Sequence, residues 1–427
     1  MFNIKMISTI ILISLLSACG TQLKLRDDLA ALDKHFNHYR LDIKSPQTAG
    51  QKAELKTEQK ADSLVLVSLQ SLQREGIQIH RLLDRPGVIE ITDSANLAAF
   101  FVFADSNKDL TFQRSEASVL MGVDTLSTPL PSETRVELTL HLSRENSQAI
   151  PNFLVATNFS NYSSLEGVDI NVGTVTPLNS PLFSVALASK GMWQPLQFMR
   201  EGGTGVHMLQ KYDNNKTPVL FVHGMGGAPE NFTAMIEALD KTRYQPWIFS
   251  FPSGYRVPRV GEALFSILNK LEYQHHFKKM HLVAHSMGGL VSRAYLNECE
   301  RKSDCHYLSS YTTLSTPWAG HAGARFGVNV APVVMPAWID MNPDSTFLLQ
   351  LFDTPLPHKL PHLLLFSFRN DGRFSGGSSD GVIAMSSQLR REAQAQAQVR
   401  QGYNQTHVGI LSDDTVLADL NRWLADH

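Results

Sequence analysis

The sequence predicts an α/β fold, a mostly parallel sheet wrapped by helices over residues 191–427, preceded by a small β-sandwich over 63–147. Two observations carry the first part. Apolar strand-like runs stand at Val219–Val222, Trp247–Phe249, His281–Ala284, Ser310–Leu314 and Leu363–Phe368. Between or beyond them lie runs of helical period, Val260, Leu264, Ile267, Leu268 and Leu271, then Val416, Leu417, Leu420, Trp423 and Leu424. Such alternation builds a parallel sheet, because each return crossover carries a helix. The third observation concerns 63–147, where apolar or alternating runs at 64–69, 77–83, 88–91, 98–104 and 136–142 are separated by turn residues. Short strands at that spacing read as a sandwich. Residues 148–190, rich in Asn, Ser, Thr and Pro, read as a linker or as edge strands.

The 427 residues amount to about three domain-sized units. Lys and Arg total 38 against 40 Asp and Glu, a formal charge of −2. That balance gives no basic face for a nucleic-acid backbone and excludes that class of partner. With 43% hydrophobic and 18% charged residues the chain can bury a core.

Residues 1–18 carry Lys5, then a short apolar run from Ile7 to Leu16, and end in Ser17-Ala18 ahead of Cys19. The run is short for a bilayer span, and its flanks read as a signal peptide. Small residues before the cysteine resemble a bacterial lipobox. The resemblance implies that Cys19 becomes the first mature residue, carries lipid and anchors the chain to a membrane. Gly20 beside it implies the outer membrane of the cell envelope. Residues 19–62 then read as anchor and polar tether, with one amphipathic helix through Leu25, Leu29, Leu32, Phe36 and Tyr39, broken at Ser45-Pro46 and Gly50. The remaining cysteines, Cys299 and Cys305, flank a polar loop and are expected to form a disulfide outside the cytoplasm.

The chemistry is concentrated in His281-Leu-Val-Ala-His-Ser286-Met-Gly-Gly-Leu290. An apolar strand runs into Ala284-His285-Ser286-Met287-Gly288, and a helical segment follows. This is the pattern of a nucleophile elbow, which exposes a serine hydroxyl at the carboxyl edge of a sheet. Ala284 stands where glycine is usual. A second strand, Pro218–Val222, ends in His223-Gly224-Met225-Gly226-Gly227. Acyl transfer builds negative charge on a carbonyl oxygen, and each preorganised backbone N–H aimed at it contributes about 3–4 kcal/mol. The donors expected are the N–H groups of Met225 and Met287.

On these motifs the chain from about Met192 to His427 resembles the α/β-hydrolase superfamily, in particular bacterial lipases and esterases and the GPI inositol-deacylase-like group. The resemblance implies a Ser–acid–His order along the chain. A serine hydroxyl needs a histidine to take its proton and a carboxylate to orient that histidine. After the strand Leu363–Phe368 the acid is Asp380 of Ser379-Asp380-Gly381-Val382, with Asp371 as the alternative. The histidine is His407, ahead of the closing helix. The expected triad is Ser286, Asp380 and His407. An insertion over about 318–360, carrying Trp318, Phe326, Met335, Trp338, Ile339 and Phe352, is expected to form a cap. Its apolar content suits acyl chains and keeps water from the site, with a cap that only packs on the core as the alternative.

Asp105, Asn107, Asp109, Thr111 and Glu116 occupy the ligand positions of a twelve-residue calcium loop, but Leu110 stands where such a loop has glycine. A structural calcium ion in the β-unit and a solvated acidic loop are both open readings. The function expected is hydrolysis of carboxylic esters, those of lipids foremost, through an acyl-enzyme on Ser286, with no cofactor required. The same residues serve an acyltransferase or thioesterase. A surface interaction protein with an inert hydrolase domain is the reading of a different class. Acyl-chain length and oligomeric state are not encoded in any motif.

Overall fold

The structure, a computed structural model, describes residues 20–30, 36–44, 63–69, 77–83, 87–94, 98–122, 135–157, 159, 170–369 and 378–427. The signal segment 1–18, Cys19 and Asp371 lie outside the described residues. Two compact units emerge. One is Ala30–Val172 with Asn269–Gln274, and the other holds the residues up to Leu29, Gly173–Leu268 and His275–His427.

Among the described residues the first unit holds seven strands: β1 Phe36–Lys44, β2 Ser63–Leu69, β3 Ile77–Leu83, β4 Gly87–Ser94, β5 Ala99–Asp105, β6 Ser118–Gly122 and β7 Arg135–His141. They form two sheets, β4-β1-β7 and β3-β2-β5-β6. One core joins both sheets through Leu41, Ile43, Leu64, Leu66, Phe100, Val102 and Leu140. Alternate residues of the same strands, Val65, Val67, Phe101 and Phe103, enter a second core with Phe112 and Phe159. Burial on both faces explains why β2 and β5 read as continuous apolar runs and not as alternating ones.

The tether expected over 19–62 is corrected over 36–44, and residues 45–62 lie outside the described residues. Among the described residues of this stretch helix covers 20–30, and Phe36 and Tyr39 lie on β1, antiparallel to β4 and parallel to β7. The helical spacing of Leu25 and Leu29 gives way before β1, where the period is two, with Leu41 and Ile43 buried.

The second unit is built on β8 Asn171–Val175 from Gly173 on, β9 Gly205–Met208, β10 Thr217–Val222, β11 Tyr244–Ser250, β12 Met280–His285, β13 Leu308–Leu314, β14 His362–Phe368 and β15 Val399–Asn404. Their order is β15-β14-β13-β12-β10-β11-β9-β8. The six strands from β15 to β11 pair in parallel, and β9 joins antiparallel. β8 falls within the linker-or-edge stretch 148–190, as an edge strand. On one face Val416, Leu420, Trp423 and Leu424 of the helix Asp414–Asp426 pack in a cluster with Val219, Phe221, Ile248 and Val283. Each large apolar side chain buried this way contributes about 1.5–3 kcal/mol.

Register sets up the chemistry. Val222 of β10 pairs with Ala284 of β12, and His285 pairs with Leu314 of β13. The carboxyl ends of these strands are therefore level, and the loops bearing the expected site residues all leave from that edge. Residues 318–360 fold as helices Ala322–Val330, Pro336–Met341 and Thr346–Gln350 with a 3-10 turn at Pro357–Lys359. The buried carboxylate of Asp340 pins this insertion, accepting from Arg256 Nε at 2.9 Å and from the N–H of Val257 at 2.8 Å. Cys299 and Cys305 are joined in a disulfide. Among the described residues no helix is long and apolar enough to cross a membrane.

Candidate active site

Ser286 sits between β12 and the helix Met287–Arg301 with φ 55° and ψ −129°. A side chain held in that region costs on the order of 1–3 kcal/mol, so its surroundings must over-determine it. They do so from both sides: Ser286 N–H donates to the carbonyl of Leu314 at 2.8 Å, and Gly289 N–H donates to the carbonyl of Ser286 at 2.9 Å. Two glycines permit the close approach. A Cβ on Gly224 would lie 2.7 Å from Ser286 Cβ, and one on Gly288 would lie 2.3 Å from the carbonyl oxygen of Val222. The loop after β10 therefore passes directly beside the serine.

Three side chains meet in sequence. His407 Nε2 is 2.9 Å from Ser286 Oγ, and His407 Nδ1 is 2.7 Å from Asp380 Oδ2. A carboxylate only accepts, so Nδ1 carries the proton and Nε2 faces the hydroxyl as an acceptor. Ser286 and His407 each keep 8% exposure, while the Asp380 side chain is fully enclosed.

Asp380 is held by five donors. Oδ1 accepts the N–H groups of Val382 at 2.9 Å and Ile383 at 2.7 Å. Oδ2 accepts Ser367 Oγ at 2.9 Å and Gln388 Nε2 at 3.2 Å besides the histidine. Ser315 Oγ lies 2.5 Å from Ser367 Oγ. The Ser367 proton is already given to the carboxylate, so Ser315 is the donor there. Burial pushes the Asp380 carboxyl up, but the His407 ring and the two N–H groups outweigh it, and its pKa falls below the usual value. Ser315, Ser367 and Gln388 carry no local sequence signal, since they come from three separate elements.

The two histidines of the motifs serve the backbone. His285 Nε2 donates to the carbonyl of His407 at 2.8 Å, and burial next to the His407 ring drops its pKa to about 3. His223 Nε2 accepts the N–H of Phe251 at 3.3 Å, and its Nδ1 bonds the Gly224 carbonyl at 2.9 Å. Burial lowers its pKa to about 4, so it too is neutral. Its ring stacks on Phe251 at 4.2 Å. Gly226 N–H is held by Ser253 Oγ at 3.0 Å. Met287 begins the elbow helix, where the first N–H groups have no partner within the helix, and Met225 lies in the loop beside Ser286.

The residues of the calcium pattern bond to one another and to the backbone of their own loop. Asp105 accepts the N–H groups of Asp109 and Leu110 and the Tyr273 hydroxyl at 2.6 Å. Glu116 accepts the N–H groups of Ser106 and Gln113. Asn107 Nδ2 donates to Asp109 Oδ2, and Thr111 N–H and Oγ1 donate to Asp109 as well. The oxygens expected on calcium serve the loop's own donors. Among the described residues no group of three or more His, Cys, Asp or Glu side chains stands in a metal-holding arrangement.

Residues 258–409, which contain Ser286, Asp380 and His407, match the family described as "alpha/beta hydrolase of unknown function (DUF915)". Solved structures similar to the chain include the mature form of the Bacillus licheniformis lipase BlEst2. It is 19% identical, with a TM-score of 0.40, over 50% of this chain and 94% of that one. Est1E from Butyrivibrio proteoclasticus is 11% identical with a TM-score of 0.36, over 52% of this chain and 92% of that one. A putative aryl esterase from Burkholderia cenocepacia is 15% identical with a TM-score of 0.35, over 52% of this chain and 93% of that one. No curated protein matches the chain significantly in sequence.

Proposed function

We propose that this chain, whose larger unit has the α/β-hydrolase fold, is a serine hydrolase of carboxylic esters, lipids foremost, held at a bacterial envelope membrane through a lipidated Cys19. The observation that carries the chemistry is the unbroken path from Ser286 Oγ through both nitrogens of His407 to Asp380 Oδ2. Ser286 Oγ attacks the ester carbonyl while Nε2 of His407 takes its proton. Asp380 holds the tautomer and stabilises the imidazolium. The N–H groups of Met225 and Met287 receive the oxyanion. The imidazolium then protonates the leaving alkoxide, and water activated by the freed Nε2 releases the acid and restores the serine. Lipid as substrate is supported by the apolar side chains of the 318–360 insertion, and the membrane by the lipobox pattern ending at Cys19.

The test is hydrolysis of p-nitrophenyl esters from acetate to palmitate, run beside Ser286→Ala. Serine-dependent turnover rising with chain length is the expected result. Turnover unchanged in Ser286→Ala would remove the mechanism, and a preference for acetate would remove the lipid.

A further inference from the structure

We infer that the cap insertion of the hydrolase unit faces a phospholipid surface, held there by the helix of residues 20–30 acting as a brace and not as a spacer. The inference rests on the proposed lipidation of Cys19.

The described part of the helix starts at the residue after Cys19 and is tied to the rest of the hydrolase unit near both ends of that part. Its Leu25 is fully buried. Near its start, Gln22 Oε1 accepts the N–H of Val333 at 3.1 Å; near its end, the Asp28 carboxylate accepts the N–H of Leu196 at 2.6 Å. Val333 lies inside the cap insertion, three residues beyond the helix Ala322–Val330. Consecutive Cα atoms are 3.80 Å apart, so the Cα of Cys19 stands within about 11 Å of that of Gln22. A lipid on its sulfur therefore enters the bilayer beside the cap, with no length of chain left to swing the domain away.

The cap presents what such a surface takes. Phe326 and Val330 lie one turn apart on a single face of the helix and are 67% and 56% exposed. Leu23, next to Gln22, is 49% exposed. Large apolar side chains left outward next to an anchoring point find their burial in the acyl region. The bilayer is the one occupant that the anchor itself delivers to this face.

The experiment uses the acylated chain in phosphatidylethanolamine/phosphatidylglycerol vesicles. An NBD label is placed on Phe326→Cys or on Glu237→Cys. The second position is exposed on the helix Thr233–Ala238, which leads into the start of β11, at the amino ends of the parallel strands and away from the carboxyl edge from which the loops of the site leave. Cys299 and Cys305 are bonded to each other and Cys19 is acylated, so the introduced thiol alone is labelled. Doxyl lipids are expected to quench the label at 326 several-fold and leave that at 237 unchanged. In the double variant Gln22→Ala/Asp28→Ala the chain stays on the vesicles and the quenching at 326 falls. Equal quenching at 326 and 237 overturns the inference. So does shielding at 326 that grows with protein concentration without vesicles, which marks a second copy as the occupant. Quenching retained in the double variant overturns the brace. The intact mass of the N-terminal peptide, taken first and against Cys19→Ser, shows separately whether the acylation on which all this rests is present, and ester turnover reports independently on the hydrolase reading.

Discussion

Replacing Asp380 with asparagine changes one atom of the site and sets three donors against it. In one amide orientation the carbonyl keeps the N–H groups of Val382 and Ile383, and the new NH2 faces His407 Nδ1, Ser367 Oγ and Gln388 Nε2. The reverse orientation returns an acceptor to His407 but aims two amide protons at two backbone N–H groups less than 3 Å away, so the first prevails. Ser367 adapts by rotating its hydroxyl. His407 adapts only by moving its proton from Nδ1 to Nε2, which then points at Ser286 Oγ and cannot accept its proton. In a serine triad that tautomer error costs about 10⁴ in kcat, which is about 5 kcal/mol. The assay is kcat/KM on the best p-nitrophenyl ester for Asp380→Asn, with a thermal melt to show that the fold persists. A rate within tenfold of the parent would refute the reasoning and move attention to Asp371.

Three further outcomes are expected. Gly224→Ala places a methyl group 2.7 Å from Ser286 Cβ, and a displacement of about 1 Å at that point lowers kcat about 10²-fold, read in the same ester assay. Burial depresses His207, His223 and His281 to about 4 and His285 and His362 to about 3, so these rings charge far more readily in the unfolded chain. Their contribution is complete above the unfolded value near 6.5 and is lost as pH falls toward the folded values, by about 1.4 kcal/mol per pH unit for each ring; circular dichroism against pH is expected to show unfolding between about pH 6 and 4. Opening the Cys299–Cys305 bridge with serine at both positions frees a short loop in the unfolded chain and lowers stability by about 2 kcal/mol, measured by urea unfolding.

What the sequence made legible was local. The elbow is a run of ten residues whose strand, turn and helix each leave a mark, and β10, β12 and β14 are buried on both faces and so carry uninterrupted apolar runs. β15 escaped because Val-Arg-Gln-Gly-Tyr-Asn is an edge strand with one side chain buried, and β9 is four residues long. β1 escaped because its alternation adjoins a helical spacing and borrows Phe36 and Tyr39 from it. The support of Asp380 could not be read at all. Ser315, Ser367 and Gln388 lie 65, 13 and 8 residues from it in sequence, and only the parallel register of β13 and β14 brings the two serines side by side.

The site has a second layer of order that does not depend on the reacting atoms. His407 N–H donates to the carbonyl of Asp380, and the carbonyl of His407 accepts from the His285 ring. The Asp380 loop closes on itself through Asp380 N–H to Ile383 and Met385 N–H to Ser378, and it returns to β14 through Arg369 N–H to Ser379. The elbow is tied to β13 through Leu314. These contacts join the three loops through backbone groups and one ring that carries no charge. Truncating Ser286 therefore removes the nucleophile and its bond to His407 Nε2 but leaves each of these backbone and His285 ties in place. That is why a loss of turnover in Ser286→Ala reads as lost chemistry, whereas the same loss in Gly224→Ala reads as lost geometry.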